Sequence, residues 1–486
     1  MKTKIALICL AALIIAAGLY FDSCNARATL TRIHPANKLM PKHIKIADNI
    51  QPALFIISAL LFLMAFIWKK VIWFLVKIKN ILDKMEKRRF IIYSIAISFI
   101  SRFIWMMSFD FVRFRSDSLW YIRAARSILH NGTLEMFGEK TAFMPVGYPA
   151  FMALVLRLFN ESIIALHFSN ILLSVGTVVC VYYIGRYIHS EIVGRISAIF
   201  FIFLPSSIMF STLFYSETGF TFFLILSLAL IILKSNQIPY LIFSGLSLCI
   251  AIYFRPVVIL LPFLLIIYIY LKSKKRFLIR STVFLLAVFI PLLPWTIRNY
   301  KVFGDFVPVS TNGGYNLFVG NHKGATGVWS MDVEIPDVEG LDEVEQSEVF
   351  KEAAIDFIKN NPAEFVKLSV RKFFYLIIRD TSTIAAANGT SYKGMTNTQL
   401  LFLYFWAEFY YLMILGLFIL GLSYKELYRN YDMGLCLLII VYFIGIYTVF
   451  FGDSRFHFPI LPLASIIAAF GFTKILATLK KSIDEN

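Results

Sequence analysis

The chain has 486 residues, of which 59% are hydrophobic and 16% are charged, and its formal net charge is +17. This composition is too apolar for a soluble protein of this length, and it predicts a polytopic membrane protein. The positive charge does not indicate nucleic-acid binding, because the basic residues cluster in short loops between apolar segments. The same charges favour contact with the anionic headgroups of membrane lipids.

Hydropathy predicts an all-α protein with about 12 transmembrane helices, because a helix needs about 20 apolar residues to cross a bilayer. The first predicted span is also consistent with a cleaved signal, since Lys2 and Lys4 precede its apolar core. Residues 145–159 are too short to cross, and we expect them to form a juxtamembrane helix at the outer interface. The predicted spans are 4–20, 53–68, 90–109, 162–184, 194–213, 216–233, 240–254, 256–271, 281–296, 399–421, 434–451 and 457–477.

The basic loops predict the orientation of these spans. Segments 69–89 and 272–280 and the C-terminal Lys480 and Lys481 fall on one side, which the positive-inside rule makes cytoplasmic. Loops 110–161 and 298–398 then lie outside. The second of these loops is long and polar; it carries an acidic run from Asp332 to Glu348 and then an amphipathic helical pattern through residues 349–378.

Asp117 is the first candidate for chemistry. It follows Ser116, which is suited to cap a helix that begins near Asp117 and stops at Asn131-Gly132. Acids at the edge of a membrane are costly and usually functional, and an ionised carboxylate there can take a proton from an attacking hydroxyl. The alternative is a simple capping acid, or one paired with Arg113 or Arg115.

Glu217 is the second candidate acid. It begins a span that runs inward, so we expect it on the same face as Asp117; the alternative is a helix-capping acid. Asp110 and Asp117 are seven residues apart, which does not suit the closely paired carboxylates that hold a hard cation. We therefore predict no metal site, and the question of a divalent metal requirement stays open.

Basic residues at the outer ends of spans do not fit the positive-inside pattern. They are Arg255, Arg298 and Arg455, with His457 beside the last. A phosphate leaving group gains negative charge as a sugar bond breaks, and arginine donors stabilise that charge. The alternatives are side chains that snorkel to the interface and, for His457, a hydrogen-bonded interfacial imidazole.

Several motifs together resemble a known family. The stretch Arg115-Ser116-Asp117-Ser118-Leu119-Trp120-Tyr121, followed by Met144-Pro145-Val146-Gly147-Tyr148-Pro149, is similar to the first outer loop of polyprenyl-phosphate-dependent glycosyltransferases of the C superfamily. The nearest likeness is to the protein mannosyltransferase and lipid A aminoarabinose-transferase family. The segment from Pro294 to Asn321 and the pattern from Arg455 to Pro459 carry the same resemblance, which covers roughly residues 90–470.

The resemblance implies roles for particular residues. Asp117 would be the general base and Glu217 would orient the acceptor or support the base, while Arg455, Arg255, Arg298 and His457 would bind the donor phosphate. Aminoarabinose transferases place a lysine that contacts the lipid phosphate just before their Pro-Pro-x-Gly-Tyr motif. No lysine stands at that place here, which argues against this subfamily, and Lys140, slightly upstream, is the candidate for the same phosphate contact. Tyr121, Tyr148, Asn312 and Asn316 are the predicted substrate contacts, with Gly313-Gly314 forming a tight turn; the alternative for that last segment is an ordinary polar turn.

The sequence therefore predicts an integral-membrane glycosyltransferase. It would move a hexose or pentose, with inversion, from a polyprenyl-phosphate donor to a lipid, glycan or protein acceptor at the outer face of the cytoplasmic membrane, without a cofactor. A polyprenyl-linked glycan transporter or flippase and a membrane glycan polymerase are the alternatives, although no internal repeat favours a transporter. The predicted regions are an N-terminal extension with two spans and a basic cytoplasmic loop, 1–89; a catalytic transmembrane region, 90–297; an outer loop domain, 298–398; and a C-terminal transmembrane region, 399–486.

Overall fold

The computed structural model describes residues 69–107, 117–272, 274–330, 334–384, 386 and 396–484, with side chains up to residue 481. The predicted spans 4–20 and 53–68, and the residues Asp110, Arg115 and Ser116, lie outside these ranges. The chain forms two compact units, one of Met1–Lys84 with Lys474–Asn486 and one of Met85–Thr473. In the first unit residues 69–84 are helical.

The second unit is built almost entirely of helices in its described residues. Its two short strands, β1 (Glu135–Met136) and β2 (Glu139–Lys140), form an antiparallel hairpin. The helices in chain order are α1 Lys87–Met107, α2 Asp117–Asn131, α3 Gly147–Leu158, α4 Ile163–Ile188, α5 Glu191–Ile202, α6 Pro205–Phe210, α7 Glu217–Lys234, α8 Ile238–Phe254, α9 Leu261–Lys272, α10 Phe277–Phe289, α11 Leu293–Phe303, α12 Gly313–Gly320, α13 Glu343–Asn360, α14 Pro362–Ile377, α15 Asn397–Leu422, α16 Lys425–Arg429, α17 Tyr431–Val449 and α18 Leu461–Asp484. Short 3₁₀ turns cover Pro256–Val258, Ile290–Leu292 and Ser454–Ile460.

Among the described residues, seven helical segments are long and apolar enough to cross a membrane, which confirms the prediction of an all-α polytopic protein. Three apolar helices are shorter, and one of them, Gly147–Leu158, is the helix predicted to lie at the interface. The seven long segments are Lys87–Met107, Ile163–Ile188, Glu217–Lys234, Phe277–Phe303, Asn397–Leu422, Tyr431–Val449 and Ser454–Lys481.

The predicted span 194–213 differs from the structure, which divides it into α5 and α6. Helix α5 ends at Ile202 and Pro205 opens α6, because proline lacks the N–H that a continuing helix would need. The fully buried Arg102 of α1 holds this break. Its guanidinium donates to Ser207 Oγ (2.9 Å) just after the break and to Ser174 Oγ (2.7 Å) of α4.

Four helix ends meet at one end of the second unit. Helices α7 and α8 form an antiparallel hairpin, so the N-terminus of α7 lies beside the C-terminus of α8. Helix α17 ends at Val449, and after a short connection the 3₁₀ turn Ser454–Ile460 leads into α18 and packs against α7 and α17. The sequence therefore delivers Glu217, Arg255 and Arg455 to the same end, each beside a helix terminus.

The segment predicted to form an outer loop domain, residues 298–398, contains the helices predicted there; we keep the name outer loop domain for it. Helix α13 begins at Glu343, inside the acidic run, and Asp342 caps it through a capping box with Glu345. Phe350 and Ala354 of α13 pack on Phe318 of α12 and form a small apolar core. Helix α14 packs against α17 and against the 3₁₀ turn, at the end of the unit where the helix termini meet.

Candidate active site

Asp117 is the first residue of α2, so its carboxylate lies where the helix dipole favours negative charge. The helix ends at Asn131, and Gly132 follows with a φ of +71°, as the Asn-Gly pair predicted. The Asp117 side chain is 39% exposed, which leaves it open to solvent while it contacts the protein on one side. That combination suits a carboxylate that exchanges a proton with a ligand.

Glu217 begins α7 and is completely buried. Its Oε1 accepts a hydrogen bond from Arg255 Nη2 at 2.5 Å and a second one from Arg455 Nε. Its Oε2 is buried without a hydrogen-bond partner among the described residues. A buried carboxylate is stable only when it is paired, and two guanidinium groups supply that compensation here.

Arg455 connects the two candidate acids. Its Nη1 donates to Asp117 Oδ2 at 2.5 Å while its Nε donates to Glu217, and its guanidinium lies 4.4 Å from the ring centre of Tyr215. Asp117 and Arg455 are 338 residues apart in the chain, so only the tertiary fold brings them together. With Arg255 the cluster holds two carboxylates and two guanidiniums, whose formal charges cancel.

Three further residues of the site did not emerge from the sequence. Ser216 Oγ accepts from Arg255 Nε at 3.0 Å and from the Tyr121 hydroxyl at 3.3 Å, and Tyr447 lies beside Arg255. Tyr215 supports Arg455 as described. Tyr215 and Ser216 directly precede Glu217 in the sequence, and that position could have identified them as site residues. The sequence around Tyr447 contains no comparable motif.

The predicted substrate contacts Tyr121 and Tyr148 are both buried behind the cluster. Their rings meet edge to face with centroids 5.0 Å apart, and the Tyr148 hydroxyl accepts from Asn170 Nδ2 at 2.9 Å. Both hydroxyls thus have protein partners, so the pair forms a wall of the site in this structure. Direct contact with a substrate stays a prediction.

Arg298 lies apart from the cluster and holds the first outer loop. Its Nη1 donates to the carbonyl oxygen of Thr141 at 3.0 Å, its Nη2 donates to that of Leu134 at 3.2 Å, and its guanidinium stacks on Trp295 at 4.7 Å. The neighbouring Glu343 accepts hydrogen bonds from the Thr141 hydroxyl and from the backbone N–H of Ala142. These bonds tie the outer loop domain to the first outer loop, and the phosphate-binding role of Arg298 stays a prediction.

Other predicted residues are dispersed. Lys140 is exposed on β2, and Asn316 is half-buried in α12. His457 is buried: Nδ1 contacts the Leu376 carbonyl oxygen at 2.5 Å and Nε2 contacts Asp380 Oδ1 at 3.2 Å. This arrangement matches the alternative of a hydrogen-bonded imidazole, and the role in phosphate binding stays a prediction.

The segment around Gly313-Gly314 is helical, which corrects the predicted tight turn. Asn312 precedes α12 and accepts a hydrogen bond from Ser310, and neither glycine has a positive φ. Gly314 is required for another reason: a Cβ atom there would overlap the backbone carbonyl of Ser347 in α13. The glycine thus allows two helices to approach closely.

Within the part of the chain that the structure describes, no group of three or more His, Cys, Asp or Glu residues is arranged to hold a metal ion. The Asp117 and Glu217 carboxylates, which a cation would need, already contact arginine.

The central segment, residues 144–295, matches the family model of dolichyl-phosphate-mannose-protein mannosyltransferases. This match confirms the family resemblance predicted from the sequence. No curated protein sequence matched the chain.

The fold is similar to that of the oligosaccharyltransferase AglB from Archaeoglobus fulgidus, which was solved with an inhibitory peptide and a dolichol-phosphate. The TM-score is 0.50 and the sequence identity is 12%, and the match covers 82% of this chain and 51% of AglB. The apo form of the Archaeoglobus fulgidus oligosaccharyltransferase gives a TM-score of 0.50 at 14% identity, with 82% and 52% covered. ArnT from Cupriavidus metallidurans bound to undecaprenyl phosphate gives a TM-score of 0.39 at 11% identity, and the match covers 80% of this chain and 78% of ArnT. The chain spans about half the length of the oligosaccharyltransferase that it matches.

Proposed function

We propose that the protein is an integral-membrane glycosyltransferase that moves a sugar, with inversion, from a polyprenyl-phosphate donor to an acceptor. The observation that carries the proposal is the cluster in which Arg455 bridges Asp117 and Glu217 at the end of the bundle where helix termini meet. The family match over residues 144–295 and the likeness to a fold that has been solved with dolichol-phosphate support it.

Donor binding would proceed by exchange of partners at Arg455. The donor phosphate competes with Asp117 for the guanidinium, because a phosphate oxygen accepts the same bidentate, charge-assisted hydrogen bonds as a carboxylate. Glu217 tolerates this exchange, since Arg255 still donates to it at 2.5 Å. The carboxylate of Asp117 is then released from its cation and becomes available as a base.

The chemical step would be a single displacement. The acceptor oxygen forms a bond to the anomeric carbon, its proton passes to the Asp117 carboxylate, and the bond from the anomeric carbon to the phosphate oxygen breaks. The electron pair of that bond remains on the polyprenyl phosphate, where Arg455 stabilises the added negative charge. Arg255 stabilises it indirectly, because it keeps Glu217 neutralised.

The outer side of the cytoplasmic membrane is the proposed location of the site. Basic residues concentrate at the opposite end of the helices that form it, where Lys234 ends α7 and Lys272 ends α9. Such residues favour the cytoplasmic side, which leaves the cluster on the outer side.

We also propose that turnover needs no divalent metal. In the proposed exchange the guanidinium of Arg455 supplies, at the donor phosphate, the positive charge that a divalent cation would otherwise supply, and Arg255 continues to neutralise Glu217. Sugar transfer should therefore continue at an unchanged rate in excess EDTA. A loss of transfer that Mg²⁺ or Mn²⁺ restores would contradict this part of the proposal.

The decisive experiment gives the purified protein in proteoliposomes a panel of polyprenyl-phosphate hexoses and pentoses together with lipid, glycan or peptide acceptors. It measures release of polyprenyl phosphate and transfer of the sugar to the acceptor. Asp117→Asn should reduce release about 10²–10⁴-fold, the usual effect of removing a general base, while binding of undecaprenyl phosphate persists. The exposed Glu161→Gln is the control for loss of an acid in the same outer loop. An Asp117→Asn protein of full activity would mean that the base lies elsewhere.

The same experiment separates the alternatives. A flippase would translocate the lipid-linked sugar across the liposome without releasing polyprenyl phosphate. A polymerase would add many sugars in succession to a glycan acceptor, whereas the proposed transferase would add one.

A further inference from the structure

The connection that carries Arg455 is short and irregular. Residues 449–457, which we call the Arg455 segment, lead from the end of α17 through residues 451–453, which have no regular secondary structure, into the 3₁₀ turn. A segment without helical hydrogen bonds depends on its neighbours for its shape. Besides α7 and α17, those neighbours include the outer loop domain.

Contacts at the start of the segment come from Lys372 of α14 and from residues 321–327. The carbonyl oxygen of Val449 accepts from Lys372 Nζ at 3.0 Å and from Asn321 Nδ2 at 2.9 Å. The N–H of Gly452 donates to the Gly327 carbonyl oxygen at 2.8 Å. Gly452 lies so close to α14 that a Cβ atom on it would overlap the backbone of Lys372.

Contacts at the end of the segment come from the same helix and the residues after it. His457 contacts Leu376, as described, and the Asp453 carboxylate accepts from the backbone N–H of Arg455 at 2.8 Å and from the Ser382 hydroxyl. The outer loop domain therefore holds the segment on both sides of Arg455.

Lys372 is the unusual member of this arrangement. It is completely buried, and the partners of its Nζ are neutral: the Val449 carbonyl and Asn321 Oδ1 at 2.8 Å. Burial lowers the pKa of its ammonium to about 8. Lys372 lies at the C-terminus of α17, because its partner Val449 is the last residue of that helix. Unsatisfied carbonyl groups and the helix dipole favour a positively charged donor there.

We infer that Lys372 is a positioning residue for donor binding: it caps α17 and holds the Arg455 segment so that the guanidinium meets the donor phosphate. The inference rests on the proposed function only for the identity of the ligand. It assigns to the outer loop domain a part in the membrane-embedded site.

The test uses the full chain, purified and titrated with undecaprenyl phosphate. Lys372→Met keeps the length of the side chain and removes the donors, and it should raise Kd about threefold to thirtyfold. Lys367→Met, an exposed lysine on the same helix, is the matched control and should leave Kd unchanged. In an Arg455→Ala background the effect of Lys372→Met should disappear, because the two residues act through one contact.

Equal effects of Lys372→Met in both backgrounds, or no effect in either, would overturn the inference. Amide hydrogen exchange supplies a readout that does not depend on the lipid: residues 450–456 should exchange faster in Lys372→Met, with α10 unchanged as an internal reference. If Lys372→Met does not fold, Asn321→Ser, which removes the other donor to Val449, should raise exchange in the same residues. Wild-type protein that does not bind the lipid would refute the proposed function, while exchange would still decide whether Lys372 holds the segment.

Discussion

A single guanidinium separates the two acids of this site. Without Arg455, the carboxylates of Asp117 and Glu217 would share a region that only Arg255 neutralises. Arg455 therefore has two roles: it is the partner of both acids in the structure, and it is the proposed partner of the donor phosphate.

We expect Arg455→Ala to weaken binding of undecaprenyl phosphate about tenfold to a hundredfold, because a hydrogen bond to a charged group contributes about 1.5–3 kcal/mol. Arg455→Lys should lose less affinity, because lysine keeps the positive charge although it cannot form the bidentate hydrogen bonds of the guanidinium. Titration of the purified variants measures both, with Arg157→Ala, an exposed arginine of α3, as the control. Unchanged affinity in Arg455→Ala would leave Arg255 and Arg298 as the candidate phosphate ligands.

Lys372 predicts a pH dependence of stability. Its pKa is about 8 in the folded protein and 10.5 ordinarily, so between these values the unfolded chain binds more protons than the folded one. Stability then rises with pH across this window, by at most about 3 kcal/mol, and the charged buried lysine carries its full penalty below pH 8.

The measurement compares thermal unfolding of wild-type protein and Lys372→Met in detergent at pH 7.5 and 9.5. The wild-type protein should gain stability relative to the variant at the higher pH, since methionine does not titrate. A difference in Tm that stays constant with pH would show that Lys372 has an ordinary pKa.

At the scale of elements, close helix contacts explain particular glycines. Gly147 opens α3, and a Cβ atom there would lie 2.5 Å from the backbone of Tyr253, near the end of α8 and next to Arg255. The glycine of the Pro-Val-Gly-Tyr motif thus lets the first outer loop touch the helix that carries an arginine of the site.

Gly147→Ala should therefore lower the free energy of unfolding by about 1–3 kcal/mol, the usual effect of overpacking. Gly313→Ala is the matched control, because Gly313 also opens a helix and a Cβ atom there would meet nothing within 4 Å. Thermal unfolding of the two variants in the same detergent gives the comparison. Equal Tm values for the two would mean that α3 and α8 are not in close contact.

Hydropathy and capping signals predicted most of the helices, because length and apolarity alone identify a membrane span. Where these signals gave the wrong local structure, a proline or a contact with a distant part of the chain determined that structure. The break between α5 and α6 depends on Pro205, whose effect was outweighed in an apolar window, and Gly313-Gly314 serves packing against α13 where the local pattern indicated a turn. The contact of Lys372 with Val449 depends on how the long polar loop folds back onto the bundle, and the periodicity of the sequence does not predict that fold.

For the whole molecule, counting spans and basic loops predicted which residues share a side, and the structure brings Asp117, Glu217, Arg255 and Arg455 into one cluster. The contacts within that cluster could not be predicted, because Asp117 and Arg455 are 338 residues apart in the chain and no local pattern pairs them.

The predicted orientation is tested by cysteine accessibility in intact cells, in a background where Cys9 and Cys24 are replaced by serine and Cys180, Cys249 and Cys436 are buried. Lys359→Cys, exposed on α13, should react with an impermeant maleimide. Asn80→Cys, exposed in the helix of residues 69–84, should react only after permeabilisation. Strong labelling of position 80 in intact cells would reverse the assignment of sides.

The pairing of Asp117 with Arg455 has a kinetic consequence. In the structure Asp117 Oδ2 already accepts a hydrogen bond from Arg455, so an acceptor hydroxyl that arrives before the donor would have to compete with the guanidinium for that oxygen. The donor must bind first, and the two substrates should add in a compulsory order. An unreactive analogue of the acceptor should then inhibit uncompetitively against the donor, because it binds only after the donor, whereas random addition would give noncompetitive inhibition.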